Sequence, residues 1–94
     1  MRNFVIFVQG ENYNLEVEGK VQLAGFFATR RAEALTEDEA SAIVINQLKS
    51  DSDLNLSPIK DLNIESSITV KVIHEMPIEH KNTYTVFHTY PMDV

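Results

Sequence analysis

Thr36-Glu37-Asp38-Glu39-Ala40-Ser41-Ala42-Ile43-Val44-Ile45-Asn46-Gln47-Leu48-Lys49-Ser50 is the stretch on which the fold of this chain turns. Thr36 and Glu39 make a capping box, in which the threonine hydroxyl accepts the backbone N–H of residue 39 while the glutamate reaches back. Glu37 and Asp38 add negative charge at the positive end of the helix dipole, and Lys49 suits the negative end. Ala40, Ile43, Val44, Gln47 and Leu48 recur at i, i+3, i+4, i+7 and i+8, one stripe of an amphipathic helix, with Ala42 beside it and Ile45 off it. The helix is expected to stop near Ser50, before Asp51-Ser52-Asp53.

The residues on either side read as strands. Phe4-Val5-Ile6-Phe7-Val8 is apolar on both faces, which suits a central strand. Gly10-Glu11-Asn12 and Glu18-Gly19-Lys20 read as turns, with residues 13–17 pairing back between them. Residues 21–34 are rich in aromatic and β-branched side chains, and Gly25 in their middle marks a bulge or a close approach. Beyond the helix, Pro58 forbids one continuous helix through residues 51–66, where a Ser57-Pro58 helical turn with extended flanks is expected. Residues 68–73 and 84–90 read as two further strands, ended by Pro77 and Pro91, with 78–83 as a polar connection compatible with a hairpin. One helix on an antiparallel sheet of four to five strands is an α+β two-layer sandwich, and a ferredoxin-like arrangement is plausible.

The chain has 94 residues, of which 44% are hydrophobic and 23% charged, the balance of a single globular α+β domain over residues 1–94. Eight Lys and Arg against fourteen Asp and Glu give a formal charge of −6, which disfavours nucleic acid and anionic membrane surfaces. Residues 32–65 hold that whole excess, in Glu33, Glu37, Asp38, Glu39, Asp51, Asp53, Asp61 and Glu65 against Lys49 and Lys60. No cysteine is present, which excludes disulfides, thiolate metal sites and cysteine nucleophiles and points to the cytoplasm. The five apolar residues near the N-terminus are too few for a signal peptide or a membrane span.

No catalytic pattern stands out. His74, His80 and His88 share the C-terminal strands with Glu75 and Glu79, but Pro77 intervenes in extended chain, so the spacing is not that of a helical zinc motif. Paired as a hairpin, the last two strands would bring His74 and His88 together; two imidazoles without placed carboxylates hold zinc poorly, and no metal site is expected. No serine sits in a nucleophile elbow, and Gly10, Gly19 and Gly25 form no phosphate loop. No cofactor is expected. Arg30-Arg31 is the most basic spot and the candidate for holding a carboxylate or phosphate; in a strand the two point to opposite faces.

Gly10-Glu11-Asn12, Leu15, Gly19-Lys20, Gly25-Phe26, Thr29-Arg30, Glu33-Ala34, Glu39-Ala40 and Tyr90-Pro91 together resemble a group of small uncharacterised bacterial proteins of about this length. The resemblance implies a compact ferredoxin-like α+β domain of unknown function, and it carries over no catalytic residue.

The reading of these residues is a small non-enzymatic module that self-associates. A helix of about fourteen residues, roughly 21 Å long, covers only part of a four-stranded sheet. With Phe4, Ile6 and Val8 facing the helix, together with Val70, Val72, Tyr84, Val86 and Tyr90, the opposite face would carry Val5, Phe7, Ile73 and Phe87, joined by Phe27. A homodimer would bury that strip from both copies, unless residues 51–66 cover it within one chain. Two alternatives remain at this point: a small ligand-binding domain or enzyme using Arg30, Arg31 and the strand histidines, and an acidic inhibitor of a nucleic acid-binding protein.

Overall fold

The computed structural model describes residues 1–51, 57–58 and 65–92. Its elements are β1 (Arg2–Val17), β2 (Lys20–Ala34), α1 (Glu37–Ser50), β3 (Ser57–Pro58), β4 (Ser67–Met76) and β5 (Phe87–Pro91). Four strands form an antiparallel sheet in the order β4-β1-β2-β5, and the two-residue β3 pairs with Tyr13 and Asn14 of β1. With α1 against one face this is an α+β arrangement. Since β2 and β4 both run antiparallel to β1, they are parallel to each other, and α1 lies in the connection that carries the chain past β1.

The first half of the chain is one long hairpin. Gly10-Glu11-Asn12 is not a turn: the strand runs through it with an irregularity in pairing between Gly10 and Tyr13. Asn12 absorbs the extra length at φ 65°, a left-handed conformation that asparagine tolerates better than most residues. Its side-chain amide donates to the Glu65 carbonyl at 3.0 Å, and its carbonyl accepts from the Ser66 hydroxyl, so the bulge anchors the approach to β4. The turn at Glu18-Gly19 is where the sequence puts it. Both residues have positive φ, 53° and 81°, as a two-residue hairpin turn with the twist of the flanking strands requires.

Alternation along β1 and β2 sends Phe4, Ile6, Val8, Ala24, Phe26 and Ala28 to the helix side, where all are fully buried. Against them α1 lays a narrow ridge of Ala40, Val44 and Leu48, with Ile43 partly buried beside it and Gln47 exposed. The small side chains Ala28, Ala32 and Ala34 let the helix sit close over β2. Thr36 caps α1 as the capping box predicts, its Oγ1 accepting from the Glu39 N–H at 3.1 Å.

The last two strands do not pair with each other. β4 lies against β1 and β5 against β2, on opposite edges, and residues 77–86 form a strap between them. Asn3, 1% exposed, holds the start of the strap by donating from its amide to the carbonyls of Pro77 at 3.0 Å and His80 at 2.8 Å. Farther along, Lys81 meets Glu33 at 3.2 Å, and the Thr29 N–H donates to the Val86 carbonyl just before β5 begins. Neighbours in sequence usually neighbour in space, which is why a hairpin is the natural expectation; here side-chain anchors on β1 and β2 lead the chain across instead. Ser57–Pro58 is extended rather than a helical turn. The other expectations for residues 52–56 and 59–64 lie outside the described residues.

Candidate interaction surface

The face of the sheet turned away from α1 is built by the residues between the buried ones. Directly opposed residues of antiparallel strands share a face. The register therefore places His74, Val5 and Arg31 in one row, Val72, Phe7 and Thr29 in the next, and Thr69, Gln9, Phe27 and His88 in the third. Tyr90 follows, opposite Gly25. An apolar stripe crosses these rows diagonally from β4 to β5. Phe7 and Phe27 stack with centroids 5.8 Å apart and planes at 15°, and Phe27 meets Tyr90 at 5.0 Å. Val72 at the β4 end is 43% exposed, and Val5, Phe7, Phe27 and Tyr90 are half-buried. Such ring pairs contribute about 0.5–1.5 kcal/mol beyond the area they bury.

Gly25 makes room for the end of the stripe. The Tyr90 ring lies across it, and the Tyr90 hydroxyl accepts from the Gln9 amide at 2.7 Å. Gly25 thus marks a close approach, while the bulge lies across the ladder in β1. On the opposite side of the sheet Gly10 admits the ring of Phe26 in the same way.

Polar side chains close one end of the face. Arg31 donates to the Asn3 side-chain oxygen at 3.0 Å and lies 3.6 Å from Glu33. The Lys81 ammonium, and secondarily Arg31, hold the Glu33 carboxyl below the usual carboxylate range. On the helix side Arg2 does the same for Glu75 through a 2.8 Å contact, with its guanidinium 4.9 Å from the Phe4 ring centre.

Of the residues expected on the open face, Val5, Phe7 and Phe27 are there. Ile73 and Phe87 are not. Both pack against the buried core, Phe87 stacked on Phe26 at 5.0 Å. The cause in β4 is a bulge. Phe7 pairs with Val72 and Val8 with Val70, leaving Lys71 as an extra residue, so Val70 and Ile73 face the core while Val72 turns outward. Adjacent apolar Val72-Ile73 after Lys71 was the signal for that change of phase. In β5 the phase is the reverse of the expected one, with Phe87 opposite Ala28 and Tyr90 opposite Gly25. Tyr90, Val72 and Gln9 are the members of this surface that sequence reasoning missed, and nothing local in the sequence reports the phase of β5.

Arg30 and Arg31 turn apart as alternation requires. Arg31 joins the network above, and Arg30 donates to the carbonyls of Thr29 and Val86, each at 2.8 Å. They do not converge on a shared anion site. Nor do the histidines converge: His74 and His88 stand on opposite edges, and His80 Nε2 lies 2.9 Å from the Tyr84 hydroxyl. Among the described residues no three His, Asp or Glu come together as a metal would need, and no helix is long and apolar enough to cross a membrane. No protein-family model, curated protein or solved structure matches this chain.

Proposed function

We propose that this protein is a small non-enzymatic interaction or regulatory module that self-associates, as a homodimer, through the open face of its sheet. The observation that carries the reading is the diagonal stripe Val72–Phe7–Phe27–Tyr90, which no described element covers. Two further features favour a second copy as its occupant. Among the described residues the outer edges of the sheet are poorly suited to strand pairing: β4 is broken by the Lys71 bulge, and β5 has five residues and ends on Pro91. Like-charged copies of a −6 chain also meet with least repulsion where carboxylates are fewest, and Glu37, Asp38 and Glu39 lie on the helix at the opposite side.

On this reading the protein works in a bacterial cytoplasm, with a further protein as its partner rather than nucleic acid or a membrane. The positions that carry the resemblance to small bacterial proteins include two interlocking pairs, Gly10 with Phe26 and Gly25 with Tyr90. The ferredoxin-like relationship is supported by the split β2–α1–β4 unit alone, since one helix is described and the hairpin β1–β2 holds the centre of the sheet. Light scattering after size exclusion tests self-association: about twice the 10.7 kDa chain mass at micromolar concentration is expected, and 10.7 kDa across the whole peak overturns it.

A further inference from the structure

We propose that protonation of His74 and His88 switches this self-association off, so that the dimer holds at neutral pH and comes apart in mild acid. The proposal rests on the reading just given and adds its regulation.

Two imidazoles frame the stripe. His74 pairs with Val5 across β4 and β1, and His88 pairs with Phe27 across β5 and β2, so both stand on the open face, one at each edge. Both are exposed in the single chain. Edge strands three spacings apart are separated by roughly 14 Å, and face-packed sheets sit about 10 Å apart. The two imidazoles are also four residues apart along β1, about 13 Å, so a copy whose contact spans the stripe from β4 to β5 reaches both.

The surroundings do not compensate a proton on either ring. The row of His74 contains Val5 and Arg31, and the row of His88 contains Phe27, Gln9 and Thr69; neither holds a carboxylate. The described carboxylates of this face are Glu33, engaged by Lys81 and Arg31, Glu11, opposite Ser67 at the far end, and Glu16, opposite Val21 beyond the Asn12 bulge. Lys71 stands at the β4 bulge, and the strap adds Lys81, the His80–Tyr84 pair and Glu79 in its turn. Protonation thus places charge where association removes water and where no carboxylate shares a row with either ring. It does so on both copies at once, and burying charged imidazoles against like charge opposes association.

The sign follows from linkage. The dimer disfavours charged imidazoles and so binds fewer protons than two monomers, which means that lowering the pH drives dissociation. Histidine titrates near pH 6.5 and carboxylates near 4, so a change from pH 7.5 to 5.5 addresses the imidazoles selectively. Sedimentation velocity over a concentration series at these two values, on wild type and on the double variant His74→Gln with His88→Gln, decides the matter, with far-UV circular dichroism confirming that the fold persists. The wild-type dissociation constant is expected to rise at least about tenfold in acid, and that of the double variant to stay constant. A wild-type constant that does not change with pH, or a double variant that keeps the full response, overturns the switch. A wild type that is monomeric at both pH values overturns the self-association reading beneath it.

Discussion

Tyr90 and Gly25 interlock: the ring of one occupies the space where a side chain of the other would stand, and a Cβ on Gly25 would also come within 2.7 Å of the Gly10 carbonyl oxygen. Gly25→Ala must displace both a ring and a neighbouring backbone, and overpacking of this kind costs about 1–3 kcal/mol. The substitution should lower the urea midpoint accordingly. Gly10→Ala, aimed into the fully buried ring of Phe26, should cost at least as much. A midpoint unchanged in both variants would show that these rings are not seated as described.

Phe7→Glu and Phe87→Glu should separate assembly from folding. Phe7 stands half-buried on the open face, so a charge there should give a folded monomer with its helical circular dichroism intact. Phe87 packs against Phe26 and the core, where loss of a phenyl group alone costs about 3–5 kcal/mol. The Phe87 variant should lose far-UV signal and cooperative melting. A folded, well-behaved Phe87→Glu protein would contradict the β5 register.

Asn3 ties three partners from a buried position, the carbonyls of Pro77 and His80 and the guanidinium of Arg31. Asn3→Ala leaves buried polar groups without partners, at about 1–3 kcal/mol. Amide hydrogen exchange should quicken first in residues 77–86, whose anchor is gone, while the β1–β2 ladder keeps its protection.

Helix capping gives a smaller effect. Thr36→Ala removes the acceptor for the Glu39 N–H and should cost about 0.5–2 kcal/mol, read from the urea midpoint.

Burial raises the Tyr13 hydroxyl above its ordinary range, because the phenolate would have to leave water. A group raised in the folded state supports folding below its unfolded value and withdraws that support as the pH climbs through the folded one. Thermal stability should therefore fall above about pH 10, and Tyr13→Phe should flatten part of that fall. An identical alkaline limb in the variant would assign it to other groups.

What the sequence makes legible here is what local chemistry decides. The Thr36 cap, the Ala40–Val44–Leu48 ridge and the Glu18-Gly19 turn are each dictated by a few adjacent residues. Central placement of residues 4–8 follows from their being apolar on both faces. The face of Ile73 turns on one inserted residue, Lys71, which reverses the phase of everything beyond it and leaves only the adjacent pair Val72-Ile73 as its local trace. The partner of β5 was hidden for another reason: it is selected by Asn3, Arg30 and Glu33, residues some fifty or more positions away along the chain that hold the strap and the start of β5. Two of the five residues expected on the open face, Ile73 and Phe87, depended on those two facts and lie on the core side instead.

The sheet order β4-β1-β2-β5 also fixes a timetable. The ribosome releases the two middle strands first, and the strands that flank them are the last to appear. Until residues 67–91 emerge, the nascent hairpin presents Phe4, Ile6 and Val8 beside an unfilled edge, a state open to wrong pairings. Pairing across such separations in sequence is also slow to form. A chain cut short at residue 66 would keep its helix signals and its central hairpin but have neither flank, so that the emergence of residues 67–91, rather than formation of any earlier element, is the event that commits this protein to its fold.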